Sequence, residues 1–331
     1  MNRRTFLVAL AAGSGALVAC QPAPAPATPD RGSVLLVDNG GDAAPLRLGL
    51  VQPAWTPVRL SLDGIAIDSR LVSTADAQTY ADAIADLVRG GANAIVATGD
   101  SFGAVVEAAA DSYAATRFLA LGQTFGRPRP NLGALALPTD QLGFVAGALA
   151  ALVSEHHVVG AALGPAAQPT VARMADGFIA GAQYVDSSVD AEIDNDGNDL
   201  PKGYQDPAGG REAAGRLFAK GVDVIFAAGG VTADGALAAS QDQGVLAIVG
   251  ERSLDAAVAS PTTLLAAVDY VLDPAIVVTY VQQLRAGKLP DDASLTLRFS
   301  PTGSPRLTTE VRDRMNKLIA DLRAGTIKAS A

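Results

Sequence analysis

Short apolar runs alternate with segments of helical periodicity from Leu46 onward, and this alternation constrains the fold more than any other feature of the chain. Several runs, such as Ala94–Thr98 and Leu246–Gly250, are apolar at nearly every position. Strands with this pattern are typical of parallel sheets that helices cover on both faces. We therefore predict an α/β fold in which right-handed crossovers connect parallel strands.

The periodicity also predicts the individual elements. The predicted strands are Leu46–Val51, Ala94–Thr98, Phe118–Leu121, Val158–Leu163, Ala191–Ile193, Val222–Ala227, Leu246–Gly250 and Leu264–Val271. The predicted helices are Thr74–Arg89, Ala104–Asp111, Gln141–Ser154, Thr170–Tyr184, Pro207–Lys220, Thr232–Gln243, Pro274–Ala286 and a tail helix near Thr309–Ala324.

The order of elements repeats on either side of Leu137–Asp140, which predicts two α/β lobes. We assign residues 43–138 plus about 265–288 to an N-terminal lobe, and residues 139–264 plus about 289–331 to a C-terminal lobe. Ligands of open α/β sheets bind beyond the carboxyl ends of the strands. A ligand is therefore expected between the lobes, in contact with the residues that follow each strand.

The first 20 residues have the layout of an export signal, with Arg3-Arg4 followed by an apolar stretch and a small residue before Cys20. A small residue directly before cysteine resembles the lipobox of bacterial lipoproteins, in which the cysteine carries lipid. The alternative is an ordinary cleaved signal in which the cysteine is incidental. The start Asn2–Leu7 also resembles a twin-arginine signal. We expect an extracytoplasmic protein that is anchored to a membrane at Cys20, with residues 21–42 as a flexible tether.

Composition excludes several function classes. The formal net charge of -9 argues against nucleic-acid binding, and a single cysteine excludes an intrachain disulfide. The two histidines are adjacent, and nothing near them resembles a metal site. The chain has neither a Gly-x-Ser-x-Gly elbow nor a phosphate-binding Gly-x-x-x-x-Gly-Lys loop. We therefore expect no metal, no cofactor and no enzymatic activity.

Three residues after strands of the first lobe are candidates for ligand contact. Trp55 offers a flat apolar surface, although it could equally pack its own loop. Asp100 follows Gly99 and could bind a ligand, although capping by Asp100 or Ser101 would explain both residues. The amide of Gln123 could bind a polar ligand or merely close its loop.

Two further candidates follow strands of the second lobe. Gly229-Gly230 precede the helix near Thr232 and could cradle a phosphate or hydroxyl group, although a plain tight turn explains them as well. Glu251 could accept hydrogen bonds from a sugar diol, or it could form an ion pair on the surface.

Several segments between Ile95 and Lys288 resemble the basic membrane lipoprotein family of substrate-binding proteins. These segments are Ala97–Gly99 with Phe102, Pro130-Asn131, Gln141–Gly147, Asp176–Ala182, Tyr204–Pro207, Gly221–Phe226 and Gly229-Gly230. The resemblance implies two Rossmann-like lobes with the type I periplasmic-binding architecture, an ABC permease as partner and a nucleoside-like solute as ligand. It also implies that Phe102 and Gly230 line the cleft and that Tyr204 can stack on a base.

The departures from this family fall where the ligand is expected. An aspartate of the family is replaced by Gly122, the Gly-Val-Asp motif reads Val249-Gly250-Glu251, and a lysine is replaced by Ala267. The leading hypothesis is a lipid-anchored binding protein of an ABC importer, with Trp55, Tyr204 and Glu251 facing one cleft. The alternatives are a ligand sensor on the same fold and an envelope hydrolase.

Overall fold

The computed structural model describes most of the chain beyond the leader and tether. The described residues are 35–37, 43–54, 65, 67–73, 76–123, 125–195, 202–251, 263–271, 274–286 and 296–329. Cys20 and Trp55 lie outside these ranges, as does most of the tether predicted at residues 21–42. Lipidation at Cys20 and the aromatic platform at Trp55 therefore remain predictions.

A five-stranded parallel sheet forms the first half of the fold. After a small antiparallel pair, β1 (Leu35–Val37) and β2 (Ala43–Pro45), the sheet contains β3 (Leu48–Pro53), β4 (Ile67–Val72), β5 (Ala94–Thr98), β6 (Arg117–Leu121) and β7 (Leu132–Leu135) in the spatial order β4-β3-β5-β6-β7. The helices α1 (Ala77–Arg89) and α2 (Gly103–Ser112) connect its strands. Ile84 and Leu87 of α1 pack against Val51 and Ile95 in the core.

A six-stranded sheet forms the second half. Its strands are β8 (Val158–Leu163), β9 (Asp190–Asn195), β10 (Val224–Ala227), β11 (Leu246–Gly250), β12 (Leu264–Val271) and β13 (Thr296–Pro301), in the order β13-β12-β11-β10-β8-β9. All neighbours run parallel except β12 and β13. The remaining helices are α3 (Thr139–Val153), α4 (Pro169–Val185), α5 (Pro207–Ala219), α6 (Thr232–Gln243), α7 (Pro274–Arg285) and α8 (Thr309–Arg323). The predicted α/β fold with parallel sheets is confirmed.

In the two larger sheets, the strands that the sequence analysis missed are β4, β7 and β13, and all three lie at sheet edges. An edge strand pairs on one side only, so it tolerates polar side chains that interrupt an apolar run. In β4, Asp68 and Ser69 are exposed. The four residues of β7 include a glycine, and β13 carries Arg298 opposite Asp269. Hydrophobic periodicity therefore detected the central strands and overlooked these edges.

The segment expected to return to the first lobe, residues 265–288, is divided between the two sheets. Its strand, β12, pairs with β11 and β13 in the six-stranded sheet, which differs from the expectation. Its helix, α7, packs on the first sheet, where Val277 and Val281 share a core cluster with Leu48 and Val96. In the second sheet, Ala266 and Val268 of β12 lie opposite Ile248 and Gly250 of β11.

Glycines bring α3 and α4 into direct backbone contact. A Cβ atom on Gly177 would lie 2.1 Å from the carbonyl oxygen of Asp140, and one on Gly143 would lie 2.0 Å from that of Met174. Since real Cβ atoms do not approach so closely, this crossing requires glycine at both positions. None of the helices in the described part of the chain is long and apolar enough to cross a membrane.

Candidate functional site

The loops that follow β5 in the first sheet meet the loops that follow β8, β9, β10 and β11 in the second. Asp100, directly after β5, contacts Thr170 at the start of α4 and Tyr204 before α5. Glu251, directly after β11, interacts with Asp100 and with the backbone of Gly229. We call these five residues the candidate site. They lie at the carboxyl ends of parallel strands, where the fold predicts a ligand.

Asp100 joins the two halves of the molecule through one carboxylate oxygen. The hydroxyl of Tyr204 donates to Oδ2 of Asp100 over 2.9 Å, and the hydroxyl of Thr170 donates to the same atom. The other oxygen accepts a longer bond of 3.4 Å from Ser101. Neither helix that begins here, the short 3-10 helix at Asp100 or α2, is capped by a side chain. The alternative role of Asp100 and Ser101 as helix caps is therefore wrong.

Tyr204 is a buried hydrogen-bond donor at this junction. It ends the short helix Lys202–Tyr204, and its side chain is 5% exposed. A Cβ atom on Gly164, at the end of β8, would lie 3.0 Å from the phenol ring, so the glycine makes room for that ring. Burial, followed by the charges of Asp100 and Glu251, raises the pKa of Tyr204. The phenol therefore stays protonated and can only donate to Asp100.

Glu251 is the second carboxylate of the candidate site. Burial raises its pKa to about 7, and the charge of Asp100 adds to this effect. The backbone N–H of Gly229 acts in the opposite direction by donating a hydrogen bond to the carboxylate. Glu251 itself has a φ of 59°, which non-glycine residues rarely adopt. Both roles foreseen for Glu251, hydrogen bonding to a ligand and an ion pair on the surface, stay predictions, because residues 252–262 lie outside the described residues.

The Gly229-Gly230 pair forms a tight turn with positive φ at both residues. A Cβ atom on Gly229 would lie 2.5 Å from the backbone nitrogen of Gly164, so the pair lets β8 and β10 end side by side. The N–H of Gly229 donates a hydrogen bond to the carboxylate of Glu251, and the N–H of Val231 donates to the carbonyl oxygen of Tyr204. A phosphate cradle is therefore disfavoured here, since a phosphate would face two carboxylates.

Gln123 connects the ends of β5 and β6. Its Nε2 donates to the carbonyl oxygen of Gly99 over 2.7 Å, which is the loop-closing role foreseen as one alternative. The side chain is 3% exposed, and its Oε1 has no hydrogen-bond partner among the described residues. The amide therefore brings an unpaired acceptor to the loop that contains Asp100.

Phe102 lies in the core of the first half instead of on an open cleft surface. Its side chain is 2% exposed, and its ring stacks on that of Tyr80 with 4.0 Å between centroids. The hydroxyl of Tyr80 donates to the carbonyl oxygens of Thr98 and Val51. The stacked rings of Tyr80 and Phe102 support the end of β5 and thereby help to position Asp100.

Sequence reasoning missed two residues of this region. Thr170 was predicted only as the first residue of a helix, and its bond to Asp100 depends on how the two halves meet. Tyr270 stands near the end of β12; its buried hydroxyl lacks a hydrogen-bond partner among the described residues. Burial and the charges of Glu251 and Asp140 raise the pKa of Tyr270. An aromatic side chain near a strand end was the available signal for this residue.

The part of the chain that the structure describes contains no group of three or more His, Cys, Asp or Glu side chains that could hold a metal ion.

Comparison with protein families identifies one model that covers most of the chain. The Bmp model, described as "ABC transporter substrate-binding protein PnrA-like", matches residues 62–288. A search of curated protein sequences finds no match.

Solved structures share the fold at low sequence identity. An ABC-transporter solute-binding protein from Aeropyrum pernix K1 has a TM-score of 0.65 and 15% identity, covering 86% of this chain and 93% of that one. One from Conexibacter woesei DSM 14684 has a TM-score of 0.63 and 18% identity, covering 86% and 98%. A transcriptional activator of the comK gene from Bacillus halodurans has a TM-score of 0.62 and 20% identity, covering 83% and 96%. These similarities establish a common architecture.

Proposed function

The chain belongs to the Bmp family of PnrA-like substrate-binding proteins of ABC transporters, and from this premise we propose that it is a lipid-anchored carrier of a small polar solute. Family membership makes it a binding protein and not an enzyme. The solute is proposed to bind between the N- and C-terminal lobes, in contact with Asp100, Tyr204 and Glu251. A nucleoside-like ligand is suggested by the family resemblance, and an ABC permease would receive it.

The observation that carries this proposal is the contact of Asp100 with Tyr204 and Thr170. A carboxylate from one sheet and hydroxyl groups from beside the other meet at the carboxyl ends of the strands. A solute held there would touch both halves at once, so its binding free energy would favour the closed arrangement. This coupling would let a permease distinguish a loaded carrier from an empty one.

The proposed location follows from the first 42 residues. Lipid on Cys20 would hold the protein at the membrane, and the tether would let it reach its permease. Export by the twin-arginine route would deliver the protein folded, in keeping with the Arg3-Arg4 pair. The anchor limits diffusion, and the candidate site supplies specificity.

A ligand screen tests the binding proposal. Purified protein without the leader is heated with nucleosides, sugars and small vitamins, each in turn. A ligand at about 100-fold excess over its dissociation constant stabilises the folded state by about 2.7 kcal/mol, which raises the melting temperature by several degrees. The Asp100→Asn protein should lose most of the response to the same ligand. An equal response in both proteins would place the ligand elsewhere.

A further inference from the structure

Several hydrogen-bond acceptors of the described residues lie together at the candidate site. Asp100 and Glu251 contribute carboxylates, and Gln123 contributes a buried carbonyl oxygen with no partner among the described residues. A buried acceptor left without a donor is energetically unfavourable. The side chain of Gln123 reaches the carbonyl of Gly99, the residue just before Asp100, so its amide lies at the same strand end. These groups call for a ligand that carries several N–H or O–H donors.

The two carboxylates also lack a positive partner. In the described part of the chain, Asp100 is bonded only to hydroxyl groups, and Glu251 is bonded through its carboxylate to the backbone N–H of Gly229. By comparison, the buried carboxylate of Asp269, 7% exposed, is paired with Arg298.

The other charged groups near Asp100 and Glu251 do not neutralise these two carboxylates. Asp140 and Arg173 both act on Tyr270, with opposite effects on its pKa, and Arg173 is exposed on α4. Neither is a cause of the raised pKa of Glu251, which depends on burial and on Asp100. Among the described residues no cation is bonded to either carboxylate, and their mutual repulsion disfavours anionic ligands such as phosphate esters.

Given that a solute binds here as proposed above, we propose that it carries a protonated nitrogen group, such as an ammonium, amidinium or guanidinium, held against Asp100 and Glu251. The N–H groups of such a cation satisfy both carboxylates, and one of them pairs with Oε1 of Gln123. Hydrogen bonds between charged partners are about twice as strong as neutral ones. A neutral solute could fill the same acceptors, but it would leave the repulsion between the two carboxylates in place.

This arrangement couples cation binding to proton release. Near neutral pH a fraction of the Glu251 carboxyl groups carries a proton, since its pKa is raised to about 7. A bound cation favours the ionised form, so the proton leaves to buffer when the ligand binds. The affinity for a cation should therefore rise as pH increases toward 7 and level off at higher pH. A neutral solute should show no such rise.

Calorimetric titration with matched pairs of probes tests the inference. The first pair is 1-methyladenosine, which is cationic at neutral pH, and adenosine. The second is putrescine and 1,4-butanediol, and the panel also contains inosine and galactose as further neutral solutes. We expect the cationic member of at least one pair to bind about 10-fold or more tightly than its partner, a difference of about 1.4 kcal/mol. Its heat of binding should differ between buffers of different ionisation enthalpy, which reports proton release in the unmodified protein.

Glu251→Gln and Asp100→Asn should each reduce the preference for the cation over its neutral partner about 10-fold. Circular dichroism confirms that both proteins are folded, and the buffer comparison needs no variant. Neutral probes that bind as tightly as cationic ones would overturn the inference and leave the proposed binding function standing. Binding of no probe in the panel would contradict both.

Discussion

The hydroxyl of Tyr204 donates a hydrogen bond to the carboxylate of Asp100 over 2.9 Å, although 104 positions separate the two residues in the chain. Asp100 follows a strand of the first sheet, and Tyr204 precedes a helix that packs on the second. This bond and the neighbouring one from Thr170 join the two halves of the fold at the candidate site. Removal of the Tyr204–Asp100 hydrogen bond should therefore weaken the contact between the two halves without disturbing either sheet.

Tyr204→Phe tests the contribution of this bond. The substitution keeps the ring beside Gly164 and removes only the donor to Asp100. A hydrogen bond to a charged group contributes about 1.5–3 kcal/mol, so we expect the free energy of unfolding to fall by this amount. Urea unfolding measures the change, with Tyr113→Phe as a control at the residue that follows α2, outside the candidate site. Equal losses in the two variants would contradict the assigned role of the hydroxyl.

The stability of the protein should depend on pH through Glu251. Its pKa is raised from 4.5 to about 7 in the folded state, so the folded protein keeps a proton that the unfolded chain has released. The free energy of unfolding therefore falls as the pH rises from 4.5 to about 7, and Glu251 does not change it further at higher pH. The shift of about 2.5 units corresponds to about 3 kcal/mol.

Glu251→Gln removes this titration, so the stability of the variant should be flatter than that of the wild type between pH 5 and 8. Chemical denaturation at several pH values measures both curves. Parallel curves would show that Glu251 is not the group responsible. The carboxylates with lowered pKa, such as Asp76 and Asp186, act in the opposite direction and below this window.

Gly177→Ala should be severely destabilising. The new methyl group would lie 2.1 Å from the carbonyl oxygen of Asp140, and the backbones of α3 and α4 would have to separate. We expect a loss of more than about 3 kcal/mol, or no soluble protein. The matched control is Gly215→Ala in α5, where a Cβ atom meets nothing within 4 Å. That change should stabilise the protein by about 0.5–1 kcal/mol, because alanine favours a helix over glycine.

Asn131→Asp tests why a segment shared with the family has an amide at this position. The Nδ2 of Asn131 donates to the carbonyl oxygens of Ala110 and Thr116, at 2.9 and 3.1 Å, in a site that is 5% exposed. A carboxylate would place negative charge against these oxygens, so we expect a loss of at least about 3 kcal/mol at pH 7. The loss should shrink as the pH falls from 7 toward about 4, because the folded protein takes up a proton before the unfolded chain does and the neutral acid can donate one bond. A loss independent of pH would contradict this explanation.

Cys20→Ala tests the proposed lipid anchor. Without a thiol no acyl chain can attach, so the protein should leave the membrane fraction and appear in the soluble fraction of the envelope. Incorporation of labelled fatty acid into the wild type, and its loss in the variant, measures the modification directly. A control with Ala19 changed to serine keeps the thiol and a small residue before it. Unlabelled wild-type protein would favour the ordinary cleaved signal.

The sequence determined the fold class because the hydrophobic pattern of a buried parallel strand is local. Runs such as Ala94–Thr98 and Leu246–Gly250 are apolar on both faces, and the structure has strands at the same bounds. The family segments around Gly143 and Gly177 also had a local signature, although their role in helix crossing became clear only from the backbone contacts. Edge strands such as β4 escaped detection because solvent on one side permits polar residues.

The candidate site, by contrast, depends on which strand ends the tertiary structure brings together. The sequence marked Asp100 and Glu251, each with a plausible structural alternative, and the family resemblance marked Tyr204, which was predicted to face one cleft with Glu251 and Trp55. Only the packing of the two halves placed the carboxylate of Asp100 between Thr170 and Tyr204 and brought its charge within range of Glu251. Hydrogen bonds and pKa shifts act over a few ångströms in space, whereas these partners are about 50 to 150 positions apart in the chain. The local hydrophobic pattern therefore determined the fold, whereas contacts between residues far apart in the chain determined the arrangement of the candidate site.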